Sequence, residues 1–355
     1  MNRKMQDYIT KDKEIFIGLE DSLKTWNICV KSERMIIHQT SMKAEYPVLK
    51  AYINRFQNCK INLMYEAGFK GFNLCDRLLE DGINCRVLPP HLLTQAKTTK
   101  VKTDKFDARR LATVLESGDF KACSVPDRER REDRQVCRTL NAVGKEIKAT
   151  RNRIRKLLQY HGIEHGIPSA REWQKKDFRS LYDLELSISL KTALNHLLVL
   201  LDHLWQQQID LKKELKALSQ KERYNKTFKI IKSLPGIGWL TAIRLVLELG
   251  EDIKRFHSGP AIVAFVGLSG SEYSTGETIR RGRITRQGNG FVRGWLVEAA
   301  WVAIRIDPVL QEFYQHIAKN TGSKKKAIVA VARKLVVRLR SCVIQNVPYQ
   351  KGVIQ

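Results

Sequence analysis

The chain has 355 residues, enough for two or three domains that bury their own cores without disulfide support. Its 63 Lys and Arg residues outnumber 37 Asp and Glu residues, and the formal net charge of +26 favours nucleic acid as the main partner. The seven cysteines form no C-x-x-C pair and no stretch reaches the apolar length of a membrane helix, which argues against structural zinc and a membrane span and favours a cytoplasmic protein.

The first part of the chain predicts a mixed sheet covered by helices. Short β-prone runs at 14–20, 26–31 and 34–39 are separated by polar breaks, as in an antiparallel meander. The following predicted elements are a helix at 43–56, a strand at 61–65, a helix at 70–81, a strand at 83–88 and a helix from about 104. The order βββαβαβα predicts an α/β fold.

The rest of the chain is predicted to be mainly helical. A charged region begins at Asp127 and carries apolar residues at helical spacing, with arginine and lysine on its other faces. A second helix has leucines that step by four and three from Leu190 to Leu218, with Gln208 at one of these positions. This pattern predicts a coiled coil or helical hairpin, paired either within the chain or between protomers. Short helices with Gly-rich turns follow from Tyr224.

A set of carboxylates follows strand ends and a helix start. Glu20 and Asp21 end the first strand, Glu66 follows the strand at 61–65, and Asp104 and Asp107 begin a helix on one face. Carboxylates that converge at one sheet edge repel one another unless a cation neutralises them, and such ligands suit Mg²⁺ or Mn²⁺. The alternative is that the two helix-start residues only cap the helix.

Two segments of the last third are candidates for contact with nucleic acid. Residues 233–246 have the form of a helix-hairpin-helix, whose tight turn contains Gly236 and Gly238 and whose backbone N–H groups could hold a phosphate. The alternative is an ordinary helix connection. Further on, Ser274 and Thr275 precede a glycine. The flanking arginines are Arg280, Arg281, Arg283, Arg286 and Arg293.

A hydroxyl on a flexible turn among arginines suits a nucleophile that attacks a phosphodiester, because guanidinium groups stabilise the developing charge. A structural loop is the alternative interpretation of the same turn.

The ordered motifs resemble those of a known family. They are I-G-L-E near the start, Y-E-A-G at 65–68, K-T-D-K-F-D-A at 102–108, L-P-G-I-G at 234–238, F-V-G-L before the Ser-Thr-Gly turn, and then G-N and V-R-G-W-L. Together they resemble the Piv-invertase-like DEDD transposases, the insertion-sequence one-ten family with its eleven-eleven subgroup, whose members include bridge-RNA-guided serine recombinases. The match runs over nearly the whole chain.

The resemblance implies three domains: an RNase H/RuvC-like DEDD catalytic domain at 1–125, a helical coiled-coil region at 126–222, and a mainly α transposase domain at 223–355. It implies a metal site of four acids, a hydroxyl nucleophile that forms a covalent bond with DNA, an oligomer (dimer or tetramer), and a structured guide RNA. Glu66, Asp104 and Asp107 fall on the family's Glu, Asp and Asp. The resemblance also implies a prokaryotic cytosol or nucleoid.

Two positions depart from the family pattern. Glu20 stands where the family's first Asp belongs, with Asp21 next to it, so that either could be the ligand. Alignment with the family favours Thr275 as the nucleophile, whereas the unhindered primary hydroxyl favours Ser274, which we prefer. We therefore expect a transposase or site-specific DNA recombinase that mobilises an insertion sequence; the alternatives are a RuvC-like junction nuclease and a catalytically decayed DNA-binding protein.

Overall fold

The computed structural model describes residues 13–56, 58–90, 104–167, 173–272 and 281–352, without the side chains of Asp104 and Arg281. These residues form two compact units, Met1–Val125 and Pro126–Gln355. The predicted boundary between residues 222 and 223 falls inside the second unit. No described helix is both long enough and apolar enough to cross a membrane.

The first unit contains a five-stranded mixed sheet. Its strands are β1 (Glu14–Asp21), β2 (Thr25–Ser32), β3 (Met35–Lys43), β4 (Lys60–Glu66) and β5 (Asn84–Leu88), and its helices are α1 (Tyr46–Ile53), α2 (Asn73–Glu80) and α3 (Asp104–Ser117). The order across the sheet is β3-β2-β1-β4-β5. The first three strands are antiparallel, and β4 and β5 run parallel to β1. The predicted α/β order βββαβαβα is confirmed.

Helices cover both faces of this sheet because its inner strands are apolar on both sides. One face buries Ile17, Leu19 and Tyr65 together with apolar residues of α1 and α2. The other face buries Met64 against Leu111 of α3. Strands that lie between two helical layers are apolar on both faces, as the buried part of β4 is apart from Asn62.

The second unit begins with two long helices, α4 (Arg128–Tyr160) and α6 (Ile188–Leu218), joined by a segment that includes the short helix α5 (Lys175–Arg179). The beginning of α4 contributes to the same core cluster as the end of α6, and the later part of α4 to the same cluster as the beginning of α6. The two helices are therefore antiparallel and pair within the chain. Steps of four and three from Leu190 predict Leu197 at the seam between the two helices. In the structure Leu198 is buried there instead, and Leu197 is only half-buried.

The remaining elements are short helices and one small ribbon. They are α7 (Glu222–Lys232), α8 (Trp239–Leu249), α9 (Gly259–Phe265), β6 (Gly270–Glu272), β7 (Arg281–Ile284), α10 (Gly290–Ile306), α11 (Pro308–Thr321) and α12 (Lys324–Gln345). Strands β6 and β7 pair antiparallel. This ribbon was not expected from the sequence, because both strands are too short to show an alternating pattern.

Candidate active site

One face of β1 lies directly under α3, and Gly18 is the reason. A Cβ atom at Gly18 would stand 2.0 Å from the carbonyl oxygen of Ala108 and 2.4 Å from the amide nitrogen of Ala112, so only glycine allows this contact. Side chains alternate between the two faces of a strand, so Glu20 shares the face of Gly18. Glu20 therefore lies on the side of the sheet that α3 covers.

Helix α3 begins at the same end of the sheet where β1 finishes. Lys31, which pairs with Phe16 of β1, binds Glu116 near the end of α3 at 2.5 Å. The end of α3 is therefore near the start of β1, and its first turn, with Asp104 and Asp107, lies toward the end of β1. Asp107 is half-buried.

Glu66 occupies the neighbouring strand at the same level as Glu20. Strand β4 is parallel to β1 with Leu19 opposite Tyr65, so Glu20 and Glu66 come next in register and share a face. Met64, two residues earlier, contacts α3, and so the face of Glu66 is also the one that α3 covers. Both carboxylates are half-buried, and the Ser22 hydroxyl donates hydrogen bonds of 2.9 Å to each oxygen of Glu20.

Asp21 lies on the opposite face and already has partners. Its side chain is only 7% exposed, and its Oδ1 atom accepts hydrogen bonds from Trp26 Nε1 at 2.5 Å and from Lys70 Nζ at 2.7 Å. Lys70 also donates to the carbonyl oxygen of Ser22. This ion pair ties the turn after β1 to the segment before α2, which gives Asp21 a structural role that the sequence did not reveal.

The chemistry of these donors suits a hard divalent cation. Carboxylate oxygens at the ends of parallel strands are ligands that Mg²⁺ and Mn²⁺ accept. Among the described side chains, no group of three or more His, Cys, Asp or Glu is close enough to hold a metal ion. The Asp104 side chain lies outside that description.

The predicted helix-hairpin-helix consists of α7, a turn at 233–238 and α8. Gly236 has a φ of 76°, and a Cβ atom there would stand 2.1 Å from the carbonyl oxygen of Ala299, so the turn packs against α10. Gly238 is exposed at the start of α8, with nothing within 4 Å of a Cβ atom. The two glycines thus differ: one allows a close internal contact, and the other faces solvent.

The ribbon β6–β7 flanks the segment with the predicted nucleophile. Ser274, Thr275 and Arg280 lie outside the described residues, as does the side chain of Arg281. Arg283 and Arg286 are exposed, and Arg286 adopts a left-handed backbone with a φ of 57°. Such a conformation is unfavourable for arginine and is found often near functional sites.

A network centred on the buried Glu248 holds the start of α10, and nothing in the sequence indicated it. Asn289 accepts hydrogen bonds from the first amides of α10 and donates to Glu248 Oε2 at 2.9 Å. Glu248 also accepts hydrogen bonds from Arg134 at 2.7 Å and Arg138 at 3.1 Å. Arg293 donates to the carbonyl oxygens of Val266 and Arg286. The position of Arg293 in the sequence did not indicate that its guanidinium would bind backbone carbonyl groups.

Two family models match the chain. One is described as the transposase IS116/IS110/IS902 family and matches residues 228–315. The other, a DEDD transposase model of IS110 elements described as a transposase, matches residues 24–162. The class that these matches define is a DNA transposase. Together they span more than half of the chain, and the chain belongs to the IS110 family of transposases.

Individual relatives agree with this assignment. The putative transposase y4qE of Sinorhizobium fredii (strain NBRC 101917 / NGR234) is 28% identical over 67% of the chain and 57% of its own length. The transposase for insertion sequence element IS1533 of Leptospira borgpetersenii is 23% identical over 97% of the chain and 99% of its own length. The pilin gene-inverting protein of Moraxella bovis is 27% identical over 36% of the chain and 40% of its own length.

Proposed function

We propose that this transposase cuts and rejoins DNA with two sets of groups: a carboxylate centre of Glu20, Glu66, Asp104 and Asp107 in an RNase H/RuvC-like domain, and a hydroxyl nucleophile from the Ser274–Thr275 turn. The observation that carries the proposal is the shared face and level of Glu20 and Glu66 at the ends of two parallel strands. The start of α3 at the same end of the sheet supports the inclusion of the two aspartates.

Glu20, rather than Asp21, is the first ligand in this proposal. Asp21 belongs to the other face and is neutralised by Lys70, so its use as a ligand would break a mostly buried ion pair. The extra methylene of glutamate lengthens the side chain but keeps both carboxylate oxygens. The departure from the family's aspartate is therefore compatible with a working site.

Mg²⁺ or Mn²⁺ is the proposed cofactor, and when bound it would polarise a phosphoryl oxygen and neutralise charge on the substrate. The carboxylates of Glu20 and Glu66 would hold it, and the hydrogen bonds from Ser22 orient Glu20. Arg283 in β7 and Arg286 just after that strand are both exposed and would bind the DNA phosphates.

The hydroxyl oxygen of Ser274 or Thr275 would form a bond with the phosphorus atom of one DNA phosphodiester. The bond between that phosphorus and the leaving DNA oxygen breaks, the hydroxyl proton passes to solvent or a neighbouring base, and the leaving oxygen takes up a proton to become a free DNA hydroxyl. Rejoining reverses the step with a new DNA end. We favour Ser274, and we include a homo-oligomer and a structured guide RNA in the proposal on the strength of the family resemblance.

A pair of matched variants tests the carboxylate centre. Loss of a residue that only supports a metal ligand costs roughly 10–100-fold in activity. We expect Glu20→Gln, which changes a ligand itself, to reduce metal-dependent cleavage of element-end DNA by more than that. Asp21→Asn should keep most cleavage but lower the unfolding midpoint, because Lys70 loses its partner. A fully active Glu20→Gln variant beside an inactive, folded Asp21→Asn variant would overturn the assignment.

A denaturing gel tests the hydroxyl. Ser274→Ala should remove a covalent protein–DNA adduct that Thr275→Ala retains, and the reverse result would assign the nucleophile to Thr275. Metal-dependent cleavage that is indifferent to both substitutions would instead favour the junction nuclease. DNA binding without any strand cleavage by the unmodified chain would favour the decayed DNA-binding protein. The same assay, repeated with RNA transcribed from the DNA that flanks the element, tests the guide.

A further inference from the structure

A row of cations and aromatic rings runs over three helices at the start of α10. Lys145 Nζ of α4 stands 5.9 Å from the centre of the Phe291 ring, and Phe291 stacks on Trp295 with ring centres 6.2 Å apart. On the other side, the Arg244 guanidinium of α8 stands 5.3 Å from the Trp295 ring. Phe291 is 39% exposed although it is a large apolar residue.

Gly294, which lies between Phe291 and Trp295 in the sequence, has no packing role within the described chain. It lies in the interior of α10, where glycine costs about 1 kcal/mol relative to alanine. A Cβ atom at Gly294 would find nothing within 4 Å. A bare backbone in a helix is expected where a partner approaches closely, and here it adjoins an exposed ring.

Cations extend this row along α4. Arg138 and Lys145 are seven residues apart and Lys148 follows three residues later, a spacing that places them on one face of the helix. All three side chains are exposed, although Arg138 also binds Glu248. A cationic line beside exposed aromatic rings is typical of surfaces that bind a single nucleic-acid strand, whose phosphates meet the cations and whose bases stack on the rings.

The row is tied to the ribbon that flanks the proposed nucleophile. Asn289, which caps α10 two residues before Phe291, forms a backbone hydrogen bond to Phe265 at the end of α9. Arg293, on the next turn, holds the carbonyl oxygen of Arg286. A strand bound by the row would therefore lie next to the ribbon whose two strands flank the proposed nucleophile in the sequence.

We infer that Phe291, Trp295 and Lys145 form a binding surface for unpaired nucleotides of the DNA strand that is cut, with a base stacked on Phe291 and its phosphate at Lys145. This inference rests on the proposed function, because the bound strand is identified through the proposed nucleophile in the segment that joins β6 to β7. It adds a specificity for DNA that is locally unpaired near the cleavage point.

Equilibrium binding tests the inference in a full-length chain that carries Ser274→Ala and Thr275→Ala, so that no cleavage interferes. The probes are an intact duplex and the same duplex with a short gap opposite an unpaired fluorescent adenine analogue. We expect Phe291→Leu to bind the gapped DNA about tenfold more weakly, with the intact duplex unaffected. Phe291→Trp should restore binding and the quenching of the analogue.

Three further variants sharpen the result. Tyr160→Leu removes a more exposed aromatic ring of α4, 86% exposed and outside the row, and should leave the binding of both probes unchanged. Lys145→Ala should weaken the binding of both DNA probes. It should also lower the slope of log affinity against log salt concentration by about one. Gly294→Leu should leave the melting temperature unchanged or raise it, but weaken binding of the gapped DNA.

Several outcomes would overturn the inference. The first is that Phe291→Leu binds gapped DNA as tightly as the parent, and the second is that it loses the same affinity for gapped and intact DNA. The third is a loss of affinity only for a gapped probe made of RNA. The fourth is a change of oligomeric state with unchanged affinity for DNA. The last would assign the surface to a protein partner. Because the hydroxyls are absent in this assay, a failed adduct experiment would refute the nucleophile and leave the stacking result standing.

Discussion

Glu248→Gln removes the charge at the centre of the buried network that holds the start of α10. The Glu248 side chain is fully buried, and its carboxylate binds Arg134, which is 15% exposed, and Arg138, which is 43% exposed. Glutamine keeps the length of the side chain and one acceptor for Asn289. It leaves the two guanidinium groups without a counter-charge, and Arg134 Nε already has no partner in the described structure.

The expected loss follows from the burial of the two arginines. A buried ion pair that loses one partner costs about 3–5 kcal/mol, because the remaining charge stays desolvated. Arg138 can turn toward solvent and contributes little, so the low end of the range, about 3 kcal/mol, applies. We therefore expect a lower free energy of unfolding for the second unit, measured by urea denaturation with circular dichroism.

The destabilisation by Glu248→Gln should also depend on pH in a predictable direction. Burial alone raises the pKa of Glu248, but the hydrogen bond from Arg138 and the charges of Arg134 and Arg138 outweigh it, and the pKa in the folded chain lies below 4.5. The stabilisation is therefore fully present above the unfolded pKa and is lost as the pH falls through the folded one. The difference between the parent and Glu248→Gln should shrink in acid.

Glu132→Gln is the matched control, because Glu132 pairs with Arg128 on the solvent side of α4 and is 67% exposed. Its cost should be about 0.5 kcal/mol or less. Equal losses for Glu132→Gln and Glu248→Gln, or a Glu248→Gln loss that grows in acid, would refute this account of the network.

Three other outcomes follow from the geometry. Gly18→Ala should destabilise the first unit by about 3 kcal/mol or more in urea denaturation, because its Cβ atom would enter the backbone of Ala108; a stable variant would show that α3 is not seated as described. Gly236→Ala should be similarly destabilising, because it approaches Ala299, whereas Gly238→Ala should be tolerated; equal melting temperatures would contradict the packed turn. Removal of divalent metal with EDTA should abolish cleavage and Mg²⁺ should restore it, and cleavage in EDTA would refute the metal site.

The sequence by itself predicted the order of strands and helices. Short β-prone runs of five to seven residues mark β1 to β5, and apolar residues at helical spacing mark α4 and α6. The short ribbon β6–β7 could not be predicted in this way, because strands of three and four residues carry no periodic signal. Pairing of α4 with α6 needed the structure as well, since leucine spacing does not distinguish a partner within the chain from one in another protomer.

The candidate site was also predicted only in part from the sequence. The sequence alone located Glu66, Asp104 and Asp107 at a strand end and a helix start, because those positions can be read from local patterns. It could not choose between Glu20 and Asp21. Alternation puts neighbouring residues of a strand on opposite faces, but only the contact of Gly18 with α3 decides which face belongs to Glu20. The partner of Asp21 is likewise a tertiary fact, because Lys70 is 49 residues away in the chain.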